Sequence, residues 1–384
     1  MSTTSRNDTR AGGPARVSPS RSPSPSPHGS PAERAAFIRL RVNAASDAWR
    51  ARLPWLAHQD AIGAAIMALA LAVMLAGAWL YLRGAIAWYV ALPLAAFASS
   101  LIHELEHDLI HTMYFRRQRL AWHLMMALCW LARPGTVSPW LRQRLHLHHH
   151  LHSGDESDLE EIAITNGERW GLRRLLMLAD GILAIALRPR RMLRAYRRYR
   201  AARSAEPAGA AASWLADGPA YFPLGYLHYA LWYAFLIGHA WLLAQAVISL
   251  PGAAFPDAWR PALHVVDLLV VTWVGPHVLR SFCLNFVSSS LHYFGDIDSR
   301  NVIEQTQVLN RWWLAPFQLF CCNFGSTHAI HHYVVRDPFY LRQLTARAAH
   351  AAMREAGVPF NDVGTFRRAN RRGPPRAASL PRQA

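Results

Sequence analysis

Nine of the 20 histidines in this 384-residue chain fall into spaced sets. They read His103-Glu-Leu-Glu-His107, His146-Leu-His-His149-His150 and His328-Ala-Ile-His331-His332, with His292 following in Ser-Ser-Leu-His-Tyr-Phe-Gly-Asp. Imidazole is the commonest protein ligand for transition metals. Helical residues three or four apart share a face, so each set can aim two or three rings in one direction. Nine such ligands are enough for two metal ions at about four or five each. The register is open at two points. His111 extends the first stripe as a ligand or a polar neighbour. His148 and His152 flank the second set as supporting or exposed residues. His58, His123, His228, His239, His264, His277 and His350 are read as structural or interfacial.

Carboxylates crowd the same places: Glu104, Glu106, Asp108, Asp155, Asp158, Asp296 and Asp298. A metal-bound imidazole usually gives its second N–H to such a group. His103-Glu-Leu-Glu-His107 also fits the H-E-x-x-H pattern of zinc peptidases. That reading leaves the other two sets without a purpose. Beyond the metal ligands no catalytic residue is expected. Cys129, Cys283, Cys321 and Cys322 make neither a C-x-x-C pair nor the four spaced ligands of an iron–sulfur centre.

The elements that must carry these rings are apolar. Segments 61–82, 85–102, 222–250 and 264–287 reach the roughly 20 residues that cross a bilayer. Turns at Arg83-Gly84 and at 251–256 would fold them into two hairpins. Each histidine set lies at a span border, whereas transporters hold their ligands near the midplane. The net charge is +17, and all basic residues are arginine. Arginine crowds 114–211, while 83–84 and 251–261 carry one each. Arginine-rich loops stay cytoplasmic, so both termini and 103–221 are expected on the cytoplasmic side of the cytoplasmic (inner) membrane, in a multi-pass protein. This topology accounts for the positive charge without nucleic acid. Leu120–Leu131 reads as a buried or half-inserted helix. Arg188–Arg203, with eight arginines and no acid, reads as an interfacial helix or a docking face for an acidic electron carrier. Residues 1–33 form a disordered N-terminal tail, 34–345 the membrane domain, beginning with a surface helix over 34–60, and 346–384 a polar C-terminal tail. The expected fold is all-α, with four transmembrane helices in two hairpins and a cytoplasmic helical cap carrying the histidine boxes.

With these boxes the chain resembles the membrane fatty acid desaturase/hydroxylase superfamily over about residues 60–340. That family shows H-x3-4-H, H-x2-3-HH and H/Q-x2-3-HH on four spans, matched by His103/His107, His146/His149/His150 and His328/His331/His332, with an additional histidine matched by His292. Ser-Gly-Asp-Glu-Ser-Asp-Leu-Glu-Glu after the second box resembles the family's acidic tail. The resemblance implies two iron ions in a non-haem di-iron centre, O2 as co-substrate and a lipid or fatty acyl substrate. Double-bond formation and hydroxylation both remain open, the latter covering fatty acyl, lipid or alkane substrates. Some acyl-CoA members carry Asn where this chain has Ser288. No His-Pro-Gly-Gly haem motif is present, so electrons are expected from a separate ferredoxin, rubredoxin-like or cytochrome donor.

Overall fold

The computed structural model describes residues 25–204, 221–248 and 254–373. Among the described residues there are helices and isolated bridges but no strand. Among the described residues four helices are long and apolar enough to cross a membrane: α2 (Gln59–Leu82), α3 (Trp88–Ile110), Leu224–Val247 and the continuous Asp257–Leu291. Leu69, Leu75, Trp79, Ile237, Leu243 and Val247 are all exposed on them. Contiguous apolar faces of that kind suit hydrocarbon rather than water.

Of the span ends expected from hydropathy, that of α3 shifts most. The helix does not stop at 102 but continues to Ile110, and everything from Ile102 to Ile110 is buried. α2 packs along α3, and so do α4 (Arg119–Ala132) and α5 (Pro139–His152). Met125, Met126 and Cys129 bury one face of α4, while Leu120, Leu124 and Leu131 stay exposed on it, as for a half-inserted helix. Ser138 caps α5 by accepting from Leu141 N–H, and Pro139 starts it. Short helices α6 (Leu159–Ala163), α7 (Leu172–Ala179) and α8 (Gly181–Ala186) lead to the arginine-rich α9 (Pro189–Ser204), which packs on α6.

After α10 (Leu224–Ile248), the last long helix is built from α11 (Arg260–Leu269), a π turn at Val270–Val274 and α12 (Gly275–Leu291). α12 runs along α3 and ends at His292, whose backbone is extended and bridges to Thr306. α13 (Phe324–His331) abuts α12 closely. A Cβ on Gly325 would lie 2.8 Å from Val287 Cγ1 and from the Leu309 carbonyl, so glycine is what lets α13 approach.

Two boundaries differ from expectation. α1 (Pro31–Arg52) begins inside the expected tail, with Ser30 and Glu33 closing a capping box. α14 (Phe339–Glu355) runs through the boundary expected at 345, and burial continues to Asn370. α1 and α14 bury Ile38, Val42, Ala349 and Met353 against each other. Arg342 of α14 is fully buried and binds both Glu104 and Asp108 of α3, at 3.2 and 3.0 Å. Removing it would leave two buried carboxylates unpaired, at a cost of about 3–5 kcal/mol.

Candidate metal centre

Four helix ends bring the histidines together. α3 supplies His107, with His111 at its C-cap; α5 supplies His146, His149 and His150; α12 ends on His292; α13 supplies His328 and His331, with His332 at its C-cap. They sort into two adjacent groups. In the first, His107, His111, His146 and His331 each offer a ring nitrogen, all within 4.8 Å of one another. In the second, His149, His292, His328 and His332 do the same.

Each converging Nε2 carries one N–H or one lone pair, so none can serve all its neighbours. His111 Nε2 lies 3.0 Å from His146 Nε2 and 2.9 Å from His331 Nε2. His150 Nε2 stands 3.1 Å from both His146 and His331 Nε2, at the edge of the first group. His332 Nε2 is 3.3 Å from both His292 and His328 Nε2. The opposite edges of several rings meet acceptors. His146 Nδ1 is 2.8 Å from Glu160, His149 Nδ1 2.8 Å from Asp158, His292 Nδ1 2.8 Å from Glu161, and His332 Nδ1 3.2 Å from the Gln305 side-chain oxygen. With Nδ1–H of His146, His149 and His332 donating there, their Nε2 atoms carry lone pairs. Ring nitrogens crowded to about 3 Å in a buried site, some with lone pairs turned inward, suit a cation among them. The donor set therefore fits two metal ions.

Electrostatics agree for four of these rings. Burial, reinforced by neighbouring imidazoles, holds His146, His150, His331 and His332 well below the usual imidazole pKa, in the neutral form that ligates metals. His149 is the exception. Burial acts against its charge too, but Asp158, with Glu161 and Glu160, outweighs it and lifts the ring to about 10. Positive charge is thus favoured at that point of the site.

His103 joins neither group. Its Nδ1 accepts from Arg133 at 3.0 Å and lies 3.4 Å from Arg142, and its ring sits beside Phe324. One helical turn separates it from His107, a rise of about 6 Å. His107–His111 has the same four-residue spacing as His103–His107, so spacing alone could not choose. His148 meets Ser157 and stacks on His152, outside both groups.

Of the acids expected behind the rings, Asp158 is in place. Glu104 and Asp108 bind Arg342, Glu106 binds Arg133 and Arg142, and Asp296 accepts from the backbone of Arg372 and Gly373. Asp155 and Asp298 are exposed. Glu104 cannot be the base of a peptidase while it is buried against that guanidinium. Glu160, Glu161 and Gln305 were missed, although the first two lie in the acidic stretch after the second box.

A cavity of about 250 Å³ opens on the imidazoles. His107, His146, His149, His292 and His328 line one part of it, and Leu145, Ile164, Trp232, Val278 and Leu284 give it apolar walls. No curated protein matches the chain. A family model, Fatty acid desaturase, matches residues 86–255 and 250–364. The paired imidazole groups and this match agree, and the chain belongs to the fatty acid desaturase family.

Proposed function

We propose that the protein is an O2-dependent desaturase of acyl chains, with one iron ion in each imidazole group. Family membership makes it an oxidoreductase of the acyl desaturase/hydroxylase type. The observation that carries the finer reading is the pair of adjacent four-imidazole groups at the end of an apolar-walled cavity. His107, His111, His146 and His331, with His150 alongside, would hold one ion; His149, His292, His328 and His332 would hold the other. Bound there, iron supplies O2 activation and oxidation of an unactivated C–H bond, and the balance is two hydrogens from the chain, two electrons and two protons from outside, and two waters formed.

The chain's own residues do the rest. Glu160 and Asp158 fix the ring orientation of His146 and His149 and keep Nε2 free to ligate, and the Glu161 carboxylate lies 2.8 Å from His292 Nδ1. Leu145, Val278 and Leu284 exclude water along the cavity and align the substrate. We place the boxes on the cytoplasmic side of the inner membrane, with four spans in two hairpins and both termini cytoplasmic, because the arginines cluster on that side of the spans. A separate ferredoxin, rubredoxin-like or cytochrome donor would supply electrons. The exposed arginines of α9 (Arg190, Arg194 and Arg197) suit an acidic carrier.

Expression in a bacterial host with a matching electron donor tests this, with fatty acids of total lipid and medium read by mass spectrometry. Loss of two hydrogens per chain is the expected result. An added oxygen would assign hydroxylation on the same scaffold, and unchanged acids would overturn both.

A further inference from the structure

The cavity that opens on the imidazoles also carries arginines. Arg133, Arg142 and Arg280 all line it. Arg133 and Arg142 share a single acid, Glu106. Arg280 has none among the described residues. Its Nη2 donates to the Ser281 hydroxyl at 2.7 Å, while Nε and Nη1 make no hydrogen bond, although the residue is only 2% exposed. The acids of the lining are committed elsewhere: Glu160 to His146, Glu161 to His292, and Asp180 to the Ile182 and Leu183 N–H groups and the Tyr233 hydroxyl.

Two further buried side chains stand by. His277, on α12 one turn before Arg280, and His228 of α10 have ring centroids 5.2 Å apart, and neither Nδ1 has a partner. A Cβ at Gly135 would lie 2.7 Å from both Nε2 atoms, so the loop after α4 keeps a slot open only because it has no side chain there. Arg280 lies within the Asp257–Leu291 span. An arginine at membrane depth is costly unless another charge meets it, and such residues face cavities and mark functional sites.

We propose that this part of the cavity is a carboxylate subsite, so that the substrate is a free carboxylic acid. Arg280 holds the carboxylate, Arg133 adds charge beside it, and the carbon chain runs along Val278, Leu284 and Leu145 to the imidazoles. An acyl thioester or phospholipid ester has no charge at that point to give the guanidinium. The position oxidised is then set by distance from the acid group. This rests on the oxidative reading of the histidine groups, and binding separates the two.

The test uses the iron-loaded full-length chain in nanodiscs. Radiolabelled straight-chain carboxylates from hexanoate to palmitate are compared with their methyl esters by equilibrium dialysis. The acid of the best length binds about tenfold or more tighter than its ester. Arg280→Gln abolishes that preference, and Arg280→Lys keeps part of it. Equal affinity of acid and ester in the unmodified chain overturns the subsite, and so does a preference that survives Arg280→Gln. Acetate that raises ester affinity to that of the acid would show a separate anion and overturn it as well. Should Arg280→Gln not insert into membranes, Gly135→Ala decides: it weakens the acid more than the ester, and equal weakening contradicts the subsite. Oxidation of the ester with no preference for acid removes the subsite and leaves the desaturase; Arg280-dependent binding without any oxidised product does the reverse.

Discussion

The two imidazole groups look alike in composition and differ in what stands behind them. In the second group, His149 and His292 are backed by Asp158 and Glu161, both buried, and His332 by Gln305. In the first, the carboxylate behind His146 is Glu160, 22% exposed, and His111 lies half-buried at the rim. Outer partners raise the basicity of an imidazole and lock its ring. The second group should therefore hold its ion more tightly, and the first should be where an ion exchanges.

The largest effects remove a ligand outright. His149→Ala strips the second group of the ring that its carboxylates favour most strongly, so product should fall below detection and iron should drop by at least one per chain. His331→Ala should abolish product equally while sparing the second ion. Quantifying iron in membrane-inserted protein checks both, and two retained ions in either variant would break the assignment. Next come the supporting acids. Glu161→Gln should weaken the second ion by about 10–100-fold, and Glu160→Gln should weaken the first by less, because water already reaches it. Competition with a graded series of chelators measures this, and the reverse order would undo the contrast between the groups. A single chelator applied over time should release iron in two phases, the first group emptying first. The smallest effect belongs to His103→Ala, which should leave iron stoichiometry unchanged, since that ring faces Arg133 and Arg142.

Much of this was legible in the residues. The spans follow from unbroken apolar runs, and the boxes at α5 and α13 from three- and four-residue spacing. The grouping of His111 rather than His103 with His107 was not, because both stand four residues from His107 and only the packing brings His111 beside His146 and His331. Arg280 was hidden as one cation in an apolar run; its lack of an acid partner among the described residues is a property of the packing. The Ala-rich α14 reads as polar, yet Ala349, Ala352 and Met353 bury against its neighbours, because small side chains pack closely without raising hydropathy. Glu160 and Glu161 were visible as an acidic stretch, but which imidazole each meets depends on how α6 folds back on α5.

Metal analysis of the purified, membrane-extracted chain by mass spectrometry, with Mössbauer spectra of iron-57-grown protein, tests the centre most directly. Two iron ions per chain in histidine-rich environments are predicted. One zinc ion per chain and no iron would contradict the account.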